Sequence, residues 1–151
     1  MRGLSFRADG ELFTVDVILV MKVVRNMAFT PIPAAPSAVV GIANMKGRIV
    51  TVLSLAELLG RERGARAVNA VIFKPLTDGN DQMGLLIDKP GDLIEINENE
   101  ILPPPKTADE EESRCISGIT EIDGILYRII NIDSIISRFK DNGENNADAM
   151  S

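Results

Sequence analysis

VGIANMKGRIVTVLSLAELL, residues 40–59, returns without a gap as SGITEIDGILYRIINIDSII at residues 117–136, an offset of 77. Gly41-Ile42 falls on Gly118-Ile119, and Gly47 falls on Gly124. Ile49, Val50, Val52, Leu53 and Leu55 meet Leu126, Tyr127, Ile129, Ile130 and Ile132, and Leu58-Leu59 meets Ile135-Ile136. A second stretch aligns at an offset of 72, with Val15-Asp16 on Ile87-Asp88 and Pro31 and Pro33 on Pro103 and Pro105. The difference between the offsets fits one longer loop, the acidic segment before Cys115. Single glycines recur by chance, but glycines, prolines, an aspartate and an apolar register held in order mark an internal duplication.

Each copy reads as strand, tight turn, strand and short helical turn. The tips are Lys46-Gly47 and Asp123-Gly124, and Asp9-Gly10 makes a third. Gly10, Gly47 and Gly124 are structural, because a type I′ turn requires positive φ and glycine adopts it without steric cost. Apolar residues on successive strand positions imply packing on both faces. One such lobe is too small to bury much apolar area alone, so two must share an interface. The seam between them is a natural groove for a partner.

Working outward, Leu4–Ala8 and Glu11–Val15 form the first hairpin, and Val20–Met27 is a strand before the rigid stretch Pro31–Pro36. Leu55–Leu59 is a helical turn closed by Gly60, and Arg61–Arg66 a charged surface loop. Ala70–Phe73 and Met83–Ile87 are strands around a turn-rich loop, 77–82, and Leu93–Ile96 is another strand. Thr107–Glu112 reads as solvated and acidic, Cys115–Ile122 and Ile125–Ile130 as a hairpin, and Asp133–Lys140 as an amphipathic helix carrying Ile135, Ile136 and Phe139. Many short, evenly spaced strands argue for small barrels. The polar stretch 141–151 is expected to be a disordered tail.

Composition narrows the function. Of 151 residues, 45% are apolar and 25% charged, ordinary for a globular protein. No apolar run reaches the ~18 residues of a membrane span, and no signal peptide is apparent, so no direct membrane insertion is expected and the cytoplasm is the natural setting. Cys115 is the only cysteine and there is no histidine. That removes the usual general base, the commonest transition-metal ligand and a zinc cluster. No cofactor, metal or catalytic residue is expected. Residues 1–75 carry ten Lys/Arg against five Asp/Glu, and residues 76–151 six against seventeen. Either the halves have surfaces of different character, or the acidic loop and tail create the imbalance.

Around the repeats, the sequence resembles the CheW family of chemotaxis coupling proteins. PAAPSAVVGIANMKGRIVTVLSL is similar to the family's proline, glycine, asparagine and turn-glycine pattern at Pro36, Gly41, Asn44 and Gly47, with Leu53 and Leu55 following. GLLIDKPGDLIEI carries Gly84 and Asp88 where the family has glycine and aspartate. The resemblance implies a mainly β fold of two SH3-like five-stranded barrels in pseudo-symmetric arrangement, with short helices and a C-terminal helix. One CheW-like domain would span 1–140, its lobes covering approximately 15–80 and 81–136, with the hairpin 4–15 shared. It implies an adaptor without an active site, coupling chemoreceptor cytoplasmic tips to the regulatory domain of a CheA-type histidine kinase. Recruitment to membrane-associated receptor arrays would then pass through these partners. Carried across, the receptor groove would include Val20, Lys22, Gly41, Ile42, Lys46 and Leu93, and the barrel ends would meet the kinase. The family's usual residues are glutamate at Lys22, arginine at Lys46 and aspartate at Ser54. These departures point to a divergent paralogue serving a separate chemosensory system, such as one controlling pili or gliding.

Sharper chemistry competes with this reading at few places. Asp16 and Asp88 are equivalent by the repeat and read better as acceptors of backbone N–H bonds than as a catalytic pair. Cys115 has no histidine to activate it and reads as a buried thiol. Arg61, Arg63 and Arg66 raise the alternative of a small nucleic-acid-binding barrel. Such barrels use aromatic platforms, and none lies between Phe29 and Phe73. The working feature is therefore expected to be an apolar strip between the lobes, formed by Val20, Val40, Ile42 and Leu93.

Overall fold

The three glycine turns fold as type I′ tips. Asp9-Gly10, Lys46-Gly47 and Asp123-Gly124 all have positive φ at both residues, between 50° and 84°. The computed structural model describes residues 1–75, 82–106 and 109–139, so the expected tail and nearly all of the loop 77–82 lie outside the described residues. In chain order the elements are β1 (Arg2–Ala8), β2 (Glu11–Asp16), a 3-10 turn (Val17–Leu19), β3 (Val20–Val24), β4 (Val39–Met45), β5 (Arg48–Ser54) and α1 (Leu55–Leu58). Then come β6 (Asn69–Phe73), β7 (Gln82–Ile87), β8 (Lys89–Glu95), α2 (Glu110–Cys115), β9 (Ile116–Ile122) and β10 (Ile125–Ile130). Residues 132–139 form a last helix, α3.

Two five-stranded sheets result, ordered β3-β6-β7-β5-β4 and β8-β1-β2-β10-β9. They correspond strand for strand. In each, the repeated hairpin (β4–β5 or β9–β10) pairs in parallel with one further strand, β7 or β2. An isolated bridge draws the loop after the opposite edge strand onto the hairpin, Thr30 to Ile42 in one and Leu102 to Ile119 in the other. These bridges obey the two offsets, 72 and 77, and each sheet curls into an SH3-like barrel. Gly41 and Gly118 lie under the bridges, where an added Cβ would strike the carbonyl oxygens of Thr30 and Leu102. The glycine of each copy is required by that close approach.

The lobe boundaries differ from the expectation. The first barrel runs on through β7 to Ile87, past residue 80, and the hairpin β1–β2 belongs wholly to the second barrel. The second barrel is thus built from both ends of the chain, closed by the parallel pairing of β2 with β10. Smaller differences are local. β3 stops at Val24 because Asn26 turns to positive φ. β8 starts at Lys89, tolerating Pro90 because it is an edge strand. The acidic segment is not merely a solvated loop: Asp109 caps the helix α2 by accepting from the Glu112 N–H at 2.8 Å, and Cys115 ends that helix.

The largest buried cluster belongs to both barrels. Phe6, Phe13 and Val15 from one sheet meet Leu53, Val71, Phe73, Leu85 and Ile87 from the other, with Leu55, Leu58, Ile132 and Ile135 from the helices over them. Ile136 and Phe139 of α3 pack onto its edge. A second cluster, including Val50, Val52, Ile72 and Leu86, fills the first barrel alone.

Candidate partner-binding surface

The seam between the lobes is packed, so the surface open to a partner runs along its margins. Val20 opens β3 opposite Phe73, half-buried against the shared core. Leu93 lies on the edge strand β8, opposite Leu4, which itself packs on that core. Leu93 is 55% exposed. The structure therefore sets Val20 and Leu93 beside one core. Val40 leaves the expected strip: it packs against the first barrel's own core, while Val39 reaches the shared one. Ile42 is half-buried and held in the bridge to Thr30, and Gly41 is buried beneath that bridge. Lys22 is exposed on β3, and Lys46 is exposed at the tip of the β4–β5 hairpin.

Sequence reasoning missed the most exposed apolar residue of this region. Ile18 is 69% exposed in the 3-10 turn that carries the chain from the second barrel to the first, with Leu19 and Met21 beside it. That turn rests against β1, the strand paired with β8. The run Val17–Met21 was legible as apolar, but nothing in its pattern said that it crosses the seam uncovered.

The carboxylates tried as a pair serve the backbone. Asp16 accepts from the Ile18 N–H at 3.1 Å and shapes the crossing turn, and Asp88 accepts from the Asp9 N–H at 3.0 Å and holds the first hairpin tip. Ser54 is buried and caps α1, its Oγ accepting from the Glu57 N–H at 3.3 Å. A hydroxyl and a carboxylate both fill that role, so the departure from aspartate leaves the local fold intact. Asn131, its counterpart at offset 77, accepts from the Ser134 N–H at 3.2 Å.

The basic loop is not simply solvated. Arg61 reaches Asp9 and Glu11 of the first hairpin at 3.0 and 3.1 Å, tying the two lobes together. Its partial burial disfavours the charge, yet hydrogen bonds to Glu11 and Asp9 more than offset this and its pKa is raised. Arg128 extends the network from Glu11 to Glu112, at 3.8 and 3.1 Å. Arg63 stands over the Phe29 ring at 5.8 Å. Cys115 is buried, with its Sγ donating to the Leu58 carbonyl at 3.6 Å. Desolvation pushes its pKa up to about 11. A cavity of about 220 Å³ opens beside it, lined by Arg114, Ser134, Ile135 and Arg138. No group of three or more potential metal ligands is gathered among the described residues, and none of their helices is long and apolar enough to cross a membrane.

This duplicated, strand-exchanged architecture has counterparts. The CheW-like domain model matches residues 2–140. The chain belongs to the CheW-like domain family. Chemotaxis protein CheW of Rhizobium meliloti (strain 1021) is 26% identical over 132 residues, covering 87% of this chain and 84% of that protein. Chemotaxis protein CheW of Thermotoga maritima is 28% identical over 133 residues, covering 88% and 85%. Among solved structures, the scaffolding protein TtCheW from Thermoanaerobacter tengcongensis matches with a TM-score of 0.74 and 29% identity, over 86% of this chain and 83% of that one. The CheW-like resemblance of the repeats thus extends over the whole double barrel.

Proposed function

We propose that this chain is a chemotaxis coupling adaptor that holds a chemoreceptor tip along the seam and a CheA-type histidine kinase at the barrel ends. The observation that carries the reading is the match of the entire double barrel, residues 2–140, to CheW-like proteins and to a CheW scaffold. In this reading the chain binds its two partners but catalyses nothing, and it reaches a membrane-associated array through them.

The receptor would lie as a helix against Val20, Ile42 and Leu93, joined by the exposed Ile18 and Met21, and would bury apolar residues spaced i, i+3, i+4 and i+7. Lys22 and Lys46 would flank it, so the helix they meet is acidic there; glutamate at Lys22's position would select a different charge. A few central apolar contacts would dominate an affinity that is modest for each interface alone.

Leu93→Glu tests this better than a change at Val20, because Leu93 is exposed and Val20 leans on the shared core. The expected outcome is loss of co-sedimentation with receptor-containing membranes, with the thermal unfolding midpoint unmoved. Undiminished co-sedimentation of a folded Leu93→Glu protein would remove the seam from the reading.

A further inference from the structure

Two arginines from different helices line one cavity. Arg114, in the last turn of α2, and Arg138, on α3, border the space of about 220 Å³ beside Cys115. Ser134 lies one turn before Arg138 on the same helix, and Ile135 adds an apolar wall. Burial dominates the Cys115 thiol and raises its pKa, but Arg138 and Arg114 both act against that rise. Both positive charges are therefore felt at the inner end of the cavity.

The acids around it are committed elsewhere. Asp109 caps α2 through the Glu112 N–H, and Glu112 itself pairs with Arg128 at 3.1 Å. Glu111 lies against Gly60, where an added Cβ would strike its Oε2. Asp133 is exposed on α3 and does not border the cavity. Glu110 pairs with Arg114 at 2.7 Å, but both side chains are largely exposed, and a solvated i,i+4 pair holds an arginine only weakly. Among the described residues no carboxylate pairs with Arg138, whose guanidinium stands over the adjoining Phe139 ring at 5.5 Å. The Ser134 N–H is taken by Asn131, while its hydroxyl has no hydrogen-bond partner among those residues.

The duplication supplies a contrast. At offset 77 Arg138 answers Arg61. α1 ends at Leu58, and Gly60, with φ 78°, turns the chain so that Arg61 meets both Glu11 and Asp9. α3 runs on through residue 139 with Ser137 in the glycine's place, so Arg138 stays on the helix and faces a cavity. One copy gives its arginine two carboxylates, and the other leaves an opening.

We infer that this cavity binds a small phosphate monoester. Two guanidinia match a dianion, and with the Ser134 hydroxyl they offer more donors than one planar carboxylate can use. Ile135 and the Cys115 thiol meet the carbon stem. The volume lies below the ~300 Å³ at which sites for drug-sized ligands begin, so the ligand is a phosphate head with a few carbons. Bound there, it joins α2 to α3 over the shared core that Cys115 and Ile135 enter, and stabilises the docking of α3. The inference needs neither receptor nor kinase, so it can fail while the adaptor reading stands, and the converse also holds.

Propyl phosphate titrated into the purified full chain, followed by backbone amide chemical shifts, tests it. Saturable shifts centred on residues 114–115 and 134–138 are expected at millimolar ligand, together with a raised unfolding midpoint. Arg114→Gln and Arg138→Gln change exposed residues, so their unfolding midpoints without ligand should match the wild type. Each should bind about tenfold more weakly, and so should the wild type when propionate replaces the phosphate at equal ionic strength. Ser134→Ala should lose less. The absence of saturable shifts, shifts spread evenly over the surface arginines, or a folded Arg138→Gln that binds as well as wild type would each overturn the inference. Propionate binding as tightly as propyl phosphate would overturn it too, by removing the dianion.

Discussion

The first barrel has an apolar cluster of its own; the second, its copy, mixes buried Ile96 and Ile129 with hydroxyls. Val50, Val52, Ile72 and Leu86 give the first barrel a core of its own. At offset 72 Leu86 becomes Thr14, and at offset 77 Ala43 becomes Thr120; both threonines are fully buried. Thr14 Oγ1 donates to the Leu4 carbonyl at 3.1 Å, and buried Ser5 both donates to the Asp92 carbonyl and accepts from its N–H, at 3.0 and 2.9 Å. Buried hydroxyls stabilise only while bonded, and a hydrogen bond nets about 1 kcal/mol where an apolar side chain contributes about 2. The second barrel therefore leans on the shared core for what its own interior lacks. The difference teaches that a duplicated backbone tolerates two kinds of interior provided that one large cluster spans both copies. It also explains why the second lobe is closed by the N-terminal hairpin, whose Phe6 and Phe13, stacked at 6.0 Å between ring centroids, are the bulkiest part of that cluster.

The bridge glycines offer the largest break in this comparison. Gly41→Ala and Gly118→Ala each push a methyl into a carbonyl oxygen of the neighbouring loop, a backbone atom that cannot rotate away. Overpacking of this kind costs about 1–3 kcal/mol, and the upper end is expected at both sites. Denaturant titration of the two variants checks it. Equal losses mean that the copies are still equivalent where the backbone is concerned. A Gly118→Ala loss well below that of Gly41→Ala would mean that the second barrel's polar interior yields, and would separate shape from stability in the copies.

Helix caps sharpen the comparison at a smaller scale. Ser54 and Asn131 hold the same position at offset 77 and perform the same bond with different chemistry. Ser54→Ala and Asn131→Ala should each cost about 1 kcal/mol by the same titration. Ser54 is buried and Asn131 only partly so, which makes the serine the costlier of the two.

Much of this was legible in the sequence, and what was hidden has a common cause. The hairpins were legible because Asp-Gly and Lys-Gly specify turn type locally, and the duplication because a shared ancestor left its glycines and prolines in register. The exchange of β1–β2 into the second barrel was not, since an apolar strand declares its pleat and not its partner. One signal was present. Matching Asp16 to Asp88 makes β2 the counterpart of β7, so β2 ends a barrel as β7 does, and the first complete unit begins after it. The seam residues fared less well. Lys22, Lys46 and Leu93 are exposed, but Val40 was assigned to the seam because alternation cannot say which of two cores a strand faces. The Arg61 network depends on contacts between segments roughly fifty residues apart, which no local pattern encodes, whereas Asp109 with Glu112 three residues on was a local start signal for α2 that went unread.

The one cysteine is silent near neutral pH and separates the lobes only in alkali. Cys115 stands at offset 77 from Ala38, and both are buried in the shared core. Burial raises the thiol from its ordinary value of 9.0 to about 11. The sign follows from proton linkage. Between those values the unfolded chain has released the proton while the folded chain still holds it, so rising pH favours unfolding through this group. Below pH 9 both states are protonated and the group is silent. Stability should therefore decline from about pH 9 to 11 in the wild type, and less so in Cys115→Ala, which gives the second lobe the residue the first already has. Urea titrations across that range measure the difference in slope, and a thiol reagent at pH 8 should react only as the protein opens. Parallel pH profiles for the two proteins would mean that the site beside the Arg114 and Arg138 cavity admits enough water to ionise the folded thiol, and that the shared core is looser at the second lobe than its burial implies.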